Sequence, residues 1–318
     1  MVKKEFSDKE GLENVLAKIC TNAKLPKYYK YFVDKEKKIL TLTVLKDGLV
    51  ANMQNNDSAF ESWAIILKFY VPYVNEVVID WETIDWMAYE DETRKDKEKK
   101  HYNRFMYRLT KFDQAFEWVK LKKNIPNIIP NALFCNCPNG EAAEKDEHQD
   151  KKSEGYLECE FVEKEKAKGI YDSINHQFPV GLFENKVSRD THFTTGQKSA
   201  IDIWAIKDNQ FYIFELKKPG NIPLGIISEL MFYTNVVDDL LAHRIKFESE
   251  NDKVKKAIEK NYRGFREFYN SYIGGKIRKI NSILLAYDFH PLITEDLLKF
   301  INNSNYNKNI TFSKQNPK

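Results

Sequence analysis

The 318-residue chain has no uninterrupted apolar run near the roughly 18 residues that would suggest a membrane span. The nearest, Trp63 to Val74, is broken by Lys68. Residues Met1 to Asp8 lack the apolar stretch of a secretory signal peptide. Four cysteines are too few for a disulfide scaffold, so the expected setting is cytoplasmic, with no membrane partner. No repeat of 20–50 residues is visible. Neither a P-loop string nor G-x-G-x-x-G occurs, which argues against a nucleotide-driven motor within this chain. An excess of one charge is missing too: 50 basic and 47 acidic residues leave a net charge of +3, so any basic surface must be local.

What is present is the composition of a globular protein, 42% hydrophobic and 31% charged. The segment 138–155 has almost no apolar residues to pin it to a core and reads as a charged linker or exposed loop. It divides the chain into an N-terminal α/β domain (1–137, role unassigned) and a C-terminal domain (156–318). In the first, 28–33 and 39–45 read as strands, 58–71 as a helix, 75–81 as a strand, and 102–121 as a helix preceded by a solvated charged stretch at 91–100. In the second, 161–175 reads as a helix with Glu163, Ala167, Ile170 and Ile174 on one face. A strand follows at 180–187. Two strongly apolar strands, 200–206 and 211–216, flank a Lys207–Gln210 turn suited to a tight hairpin. A helix from Pro223 to Leu241, a strand at 281–287 and a helix at 294–301 complete the series.

The chemistry concentrates in the hairpin. Asp202 lies in its first strand, and Glu215 and Lys217 lie near the end of its second, two apart and therefore on one face. Carboxylates and an ammonium among apolar strand residues are costly unless paired or bound to a metal. Aspartate and glutamate oxygens suit Mg²⁺, which retains waters and accepts phosphate oxygens. Lys217 is placed to orient an attacking water or to stabilise developing negative charge.

This pattern, Ile201-Asp202-Ile203-Trp204-Ala205-Ile206, a turn, then Tyr212-Ile213-Phe214-Glu215-Leu216-Lys217-Lys218, resembles the PD-(D/E)XK nuclease superfamily, also called restriction-endonuclease-like, over roughly Glu158 to Tyr287. The resemblance implies a C-terminal αβββαβ core with a mixed sheet and metal-dependent hydrolysis of phosphodiester bonds, endo- or exonucleolytic. It implies Asp202 and Glu215 as metal ligands, with the Leu216 carbonyl joining them, and Lys217 as the catalytic lysine. Mg²⁺ is the expected ion and Mn²⁺ its substitute. The family often carries a helix glutamate near the metal; Glu163 is assigned that place, with Glu160 second. Its Gln-Leu-x-x-Tyr motif is matched by Glu229-Leu230-Met231-Phe232-Tyr233, with Glu229 in place of glutamine. By analogy the substrate is DNA rather than RNA, in defence or repair, and a homodimer is compatible. The competing expectation is an inactive module of the same fold that binds nucleic acid or protein.

Charge distribution favours a nucleic-acid partner. Residues 1–154 hold 26 basic and 26 acidic residues, and residues 155–318 hold 24 and 21. Within 244–279 there are eleven Lys/Arg, five acids and interleaved aromatics, Tyr262, Phe265, Phe268, Tyr269 and Tyr272, which offer either phosphate tracking and stacking or a core-facing amphipathic helix. Lys198, Lys218, Lys276, Arg278 and Lys279 are the candidate nucleic-acid contacts. Cys135, Cys137, His148 and Cys159 lack the spacing of zinc knuckles and read as free thiols or loop residues. Asp80, Glu82 and Asp85 read as a solvated acidic loop, and His290 as a turn residue.

Overall fold

A computed structural model describes residues 8–53, 55–126, 132–147, 150–195, 199–304 and 308–317. The chain forms two compact units. Unit 1 comprises Met1–Ile129, Pro223–Glu229 and His290–Asn307; unit 2 comprises Pro130–Ile222, Leu230–Phe289 and Lys308–Lys318. Each is α/β with a mixed sheet.

In unit 1, α1 (Lys9–Leu16) precedes an antiparallel hairpin of β1 (Tyr29–Asp34) and β2 (Ile39–Val44). A single turn, α2 (Lys46–Leu49), then α3 (Phe60–Tyr70), lead to β3 (Glu76–Trp81), which joins β2 in parallel; α4 (Glu92–Ala115) leads to β4 (Val119–Leu121), parallel to β3. Parallel neighbours require such crossovers. Phe60 to Leu67 are all buried. Arg108 of α4 donates from Nε to Glu61 Oε1 at 2.8 Å and from Nη2 to the Ser58 carbonyl at 2.8 Å, satisfying a charge pair that burial would otherwise penalise. The charged stretch 91–100, expected as a solvated lead-in, is mostly helix: Asp91 accepts the Thr93 and Arg94 N–H groups and caps α4 ten residues earlier than the expected start at 102.

The division differs from the single cut expected at 138–155. The helix Glu295–Asn302 belongs to unit 1, where Phe300 packs on Phe69 of α3 with ring centroids 5.5 Å apart and Tyr70 donates to the Leu292 carbonyl at 2.9 Å. The described part of 138–155 is tied to unit 2 by particular bonds. The Cys159 thiol reaches the Ala143 carbonyl, and Arg263 Nε donates to the Gly140 carbonyl at 3.1 Å.

Unit 2 holds a five-stranded sheet. In chain order its elements are β5 (Leu133–Cys135), α5 (Glu154–Lys168), β6 (Ser173–Pro179), β7 (Leu182–Glu184), β8 (Ala200–Lys207), β9 (Gln210–Lys217), α6 (Gly225–Leu241), β10 (Ile245–Lys246), α7 (Asp252–Lys260), α8 (Phe265–Ile273), β11 (Lys279–Ala286) and β12 (Ile310–Gln315). The main sheet runs β12-β11-β9-β8-β6: β6, β8 and β9 are antiparallel, and β11 and β12 continue in parallel. Strands β10, β5 and β7 form a small second sheet. One face of the main sheet packs under α5 through Ile203, Ala205, Phe214 and Leu216 against Leu157, Phe161 and Val162.

Two local differences from the sequence reading shape the site. The helix expected at 161–175 is shifted: Ser153 accepts the Tyr156 N–H and caps its start, and Gly169, at φ +63°, ends it. Ile170 is therefore exposed, and Ile174 belongs to a strand. The strand expected at 180–187 is present only as the short β7, and the longer β6, ending at Pro179, precedes it.

Candidate active site

The hairpin of β8 and β9 turns on Asp208 and Asn209, both left-handed at φ +52° and +60°, the backbone a two-residue connection needs to match strand twist. From there the two strands pair as far as Ile203 opposite Phe214, then part. Strand β8 continues against β6, with Ile201 opposite Phe178 and Ala200 opposite Pro179. Strand β9 continues against β11, with Glu215, Leu216 and Lys217 opposite Leu284, Leu285 and Ala286. The sheet therefore forks, with Asp202 on one branch and Glu215 directly across on the other.

A fork strands backbone groups that a continuous ladder would satisfy. Asp202 repairs this: its Oδ2 accepts the Leu216 N–H at 2.8 Å, placing the carboxylate in the gap. In an extended strand a residue's N–H and C=O point to the same side, so the Leu216 carbonyl faces the gap as well. Strand alternation gives Ile203, Ala205, Phe214 and Leu216 to the α5 side, and Glu215 and Lys217 to the opposite face with Trp204 and Phe211, which stack at 5.7 Å. Glu215 and Lys217 are buried, 1% and 6% exposed, and Lys217 Nζ lies 2.5 Å from Glu215 Oε1.

A fourth charged group comes from α5. Glu158 is 3% exposed, and its Oε2 accepts Gln177 Nε2 at 2.6 Å. Burial, then the negative charge of Asp202, push its carboxyl from an ordinary 4.5 up to about 8; the Gln177 hydrogen bond and the positive charge of Lys217 act the other way. Glu158 thus feels the charges of both Asp202 and Lys217. Glu163, the expected helix glutamate, lies five residues on and about 140° round the helix. It is exposed and pairs with Lys145 at 3.2 Å, as Glu160 does more loosely at 3.9 Å. The α5 glutamate that senses Asp202 is Glu158 rather than Glu163, because the buried residues of α5 are Leu157, Glu158, Cys159, Phe161, Val162 and Glu165.

Gln177 is the residue that sequence reasoning missed altogether. It sits in β6 opposite Asp202, between His176–Ile203 and Phe178–Ile201, at φ +58°, and the regular pairing lapses at that step. A left-handed glutamine inside a strand costs of order 1–3 kcal/mol and persists only when its surroundings hold it. Here Arg263 Nη1 donates to the Gln177 carbonyl at 2.7 Å. Arg263 is itself left-handed, at φ +51°, and so is Gly264, at φ +72°. A Cβ on Gly264 would stand 2.1 Å from Asn175 Nδ2 and 2.9 Å from the Trp204 ring. Gly264→Ala should therefore lower stability by about 2–3 kcal/mol, through backbone strain and overpacking together. Chemical denaturation is the check, and a change under 0.5 kcal/mol, roughly that of a neutral surface substitution, would deny the buttress.

Glu229 is buried in the first part of α6. Lys198 lies outside the described residues, as does His148. Lys218 is exposed, just past Lys217. Lys276, Arg278 and Lys279 gather at the hairpin-turn end of the sheet, where the Arg278 N–H donates to the Asn209 carbonyl and Lys279 pairs with Gln210. Five strand residues, about 17 Å, separate that end from Glu215. In the basic segment, Phe265, Phe268 and Tyr272 are buried, and Phe268 packs on Phe178 and Phe211. These rings are core, not stacking platforms. Asp80 is buried and held by Lys122 and Lys123 at 3.0 and 3.1 Å, so it is a structural ion pair. His290 accepts the Leu292 N–H in a turn. Cys135, Cys137 and Cys159 are free thiols. No group of three or more His, Cys, Asp or Glu side chains among the described residues is arranged to hold a metal ion. No described helix is long and apolar enough to cross a membrane. No protein-family model, curated protein or solved structure matches the chain.

Proposed function

We propose that this protein is a metal-dependent nuclease that hydrolyses phosphodiester bonds in nucleic acid, DNA in preference to RNA. The observation that carries the reading is the fork: Asp202 and Glu215 face each other across a break in an apolar sheet, with Lys217 two residues beyond Glu215. The order of α5, antiparallel β6-β8-β9, α6 and parallel β11, with β7 and the β10-α7-α8 segment inserted, supports it by its similarity to the αβββαβ series of the PD-(D/E)XK superfamily.

The donor set fits Mg²⁺, with Mn²⁺ as a substitute. That ion is commonly held by one or two carboxylates plus waters and substrate phosphates, so two carboxylates and the Leu216 carbonyl suffice without a third acidic ligand. The upward shift of Glu158 beside Asp202 supports the same reading, since it marks a dry pocket crowded with negative charge that a cation would relieve. When bound, the ion would neutralise charge at the scissile phosphate and lower the pKa of a coordinated water. This chain's own groups would do the rest. Asp202 and Glu215 fix the position of the reacting phosphate. Lys217 orients the attacking water or offsets charge on the phosphoryl oxygens. Glu158 lines the same pocket from α5, beside the Asp202 charge. Gln177 fixes the Glu158 carboxyl.

A specific observation favours a second reading, a catalytically silent module of the same fold that binds nucleic acid or protein: Lys217 is engaged by Glu215 in the ligand-free chain. Cleavage of a DNA panel in Mg²⁺ or Mn²⁺ separates the two. Activity in the wild type that drops at least 100-fold in Asp202→Ala is the expected result. Salt-sensitive DNA binding with no cleavage would favour the silent module.

A further inference from the structure

Unit 2 contains a cavity of about 280 Å³ whose lining includes Pro179, Arg189, Glu248, Lys253 and Arg263. Three of these are cationic and one is anionic. The Glu248 carboxylate is already engaged, since its Oε2 accepts the Val187 N–H at 2.8 Å and the Asn251 amide at 3.1 Å. Among the described residues, Arg189, Lys253 and Arg263 make no ion pair. Arg263 spends its guanidinium on the carbonyls of Gly140, Glu141 and Gln177, which fix its position, and the Glu141 carboxylate, which accepts the Arg263 backbone N–H at 3.2 Å, offsets part of its charge, so the cavity's unpaired cations are Arg189 and Lys253. The cavity wall and the fork share strand β6. Pro179, in its wall, is two residues along β6 from Gln177, about 7 Å, and Gln177 is the residue opposite Asp202.

We propose that this cavity is a phosphate subsite. It holds a backbone phosphate of the substrate strand next to the one at the fork, with Arg189 and Lys253 as the reaching cations and Arg263 fixed behind them. A phosphate seated there would set which phosphodiester reaches Asp202 and Glu215. The identity of the ligand as nucleic acid rests on the nuclease reading; the anion chemistry of the cavity does not.

The test uses the full-length protein in chelator, so that no substrate is consumed. Binding of fluorescent single- and double-stranded DNA is measured by anisotropy across a salt series. Arg189→Ala/Lys253→Ala should weaken binding about tenfold at low salt. It should also flatten the slope of log affinity against log salt by about 0.7–0.9, the value of one phosphate contact. Lys255→Ala/Lys256→Ala, which removes two exposed lysines of α7 outside the cavity lining, should leave affinity within twofold and the slope unchanged. Inorganic phosphate should compete with DNA better in the wild type than in the cavity variant. Phosphate protection without DNA binding would assign the cavity to a free phosphate and overturn the nucleic-acid assignment. Equal losses in both double variants, or none in either, would overturn the subsite. Cleavage by the wild type in Mg²⁺ is scored separately. Its absence alongside a cavity-specific binding loss sinks the nuclease reading and leaves the subsite standing.

Discussion

Glu215→Gln combined with Lys217→Met should leave a folded protein while lowering metal-dependent DNA cleavage by about a thousandfold or more. The two side chains form an almost fully buried ion pair. Replacing such a pair by neutral side chains of similar volume is often neutral or stabilising by about 1–4 kcal/mol, because two desolvated charges are removed together. Removing one partner is different. Lys217→Met alone leaves Glu215 buried without its ammonium and should cost about 3–5 kcal/mol. Thermal melts of the single and double variants therefore separate stability from chemistry. A pair kept for stability predicts a destabilised double variant. A pair kept for catalysis predicts a double variant at least as stable as the wild type and inactive. A stable double variant that cleaves like the wild type would remove Glu215 and Lys217 from the mechanism.

Glu158→Gln should stabilise the metal-free protein, and the gain should depend on pH in a definite direction. In the fold the carboxyl is raised from 4.5 to about 8, so between these values the folded chain binds more protons than the unfolded chain. Stability must then fall as pH rises through that window. Below about 4.5 the carboxyl is protonated in both states and the penalty vanishes; above about 8 it is complete, on the order of 5 kcal/mol. Glutamine keeps an oxygen to accept the Gln177 amide, carries no charge, and removes the penalty. Denaturant titrations in chelator at pH 5 and pH 8.5 should show the variant's advantage growing with pH. A pH-independent difference would mean that Glu158 ionises normally and is not in contact with the Asp202 charge.

The hairpin was legible in the sequence because its two strands are almost wholly apolar apart from the charged positions, and because Asp208-Asn209 suits a left-handed two-residue turn. Apolar residues on both faces mean a buried strand, and a charge surviving there needs a reason. Glu163 lies off the buried face of α5 for an equally physical cause. The periodicity of Glu163, Ala167, Ile170 and Ile174 runs straight through Gly169, and a glycine that adopts a left-handed backbone ends a helix. Reading Ser153 and Gly169 as the caps would have put Glu158 beside Leu157, Phe161 and Val162, on the buried face. Gln177 left no such signal: its importance lies in a backbone angle and in a carbonyl held by a residue 86 positions away. The basic segment misled because aromatics at helical spacing serve a core and a stacking surface equally well. Here Phe265 and Phe268 pack against Phe178, leaving the lysines of α7 to water. Strand β12, with Ile310 and Phe312 buried in alternation, carried a two-residue period too short to stand out.

The most direct measurement is the rate of cleavage of linear and circular DNA by the purified wild type in Mg²⁺, beside the same protein in chelator and beside Asp202→Asn. The fork account predicts cleavage that requires the metal and falls at least 100-fold in Asp202→Asn, with melting behaviour showing that the variant is folded. Cleavage at the wild-type rate by folded Asp202→Asn would contradict it.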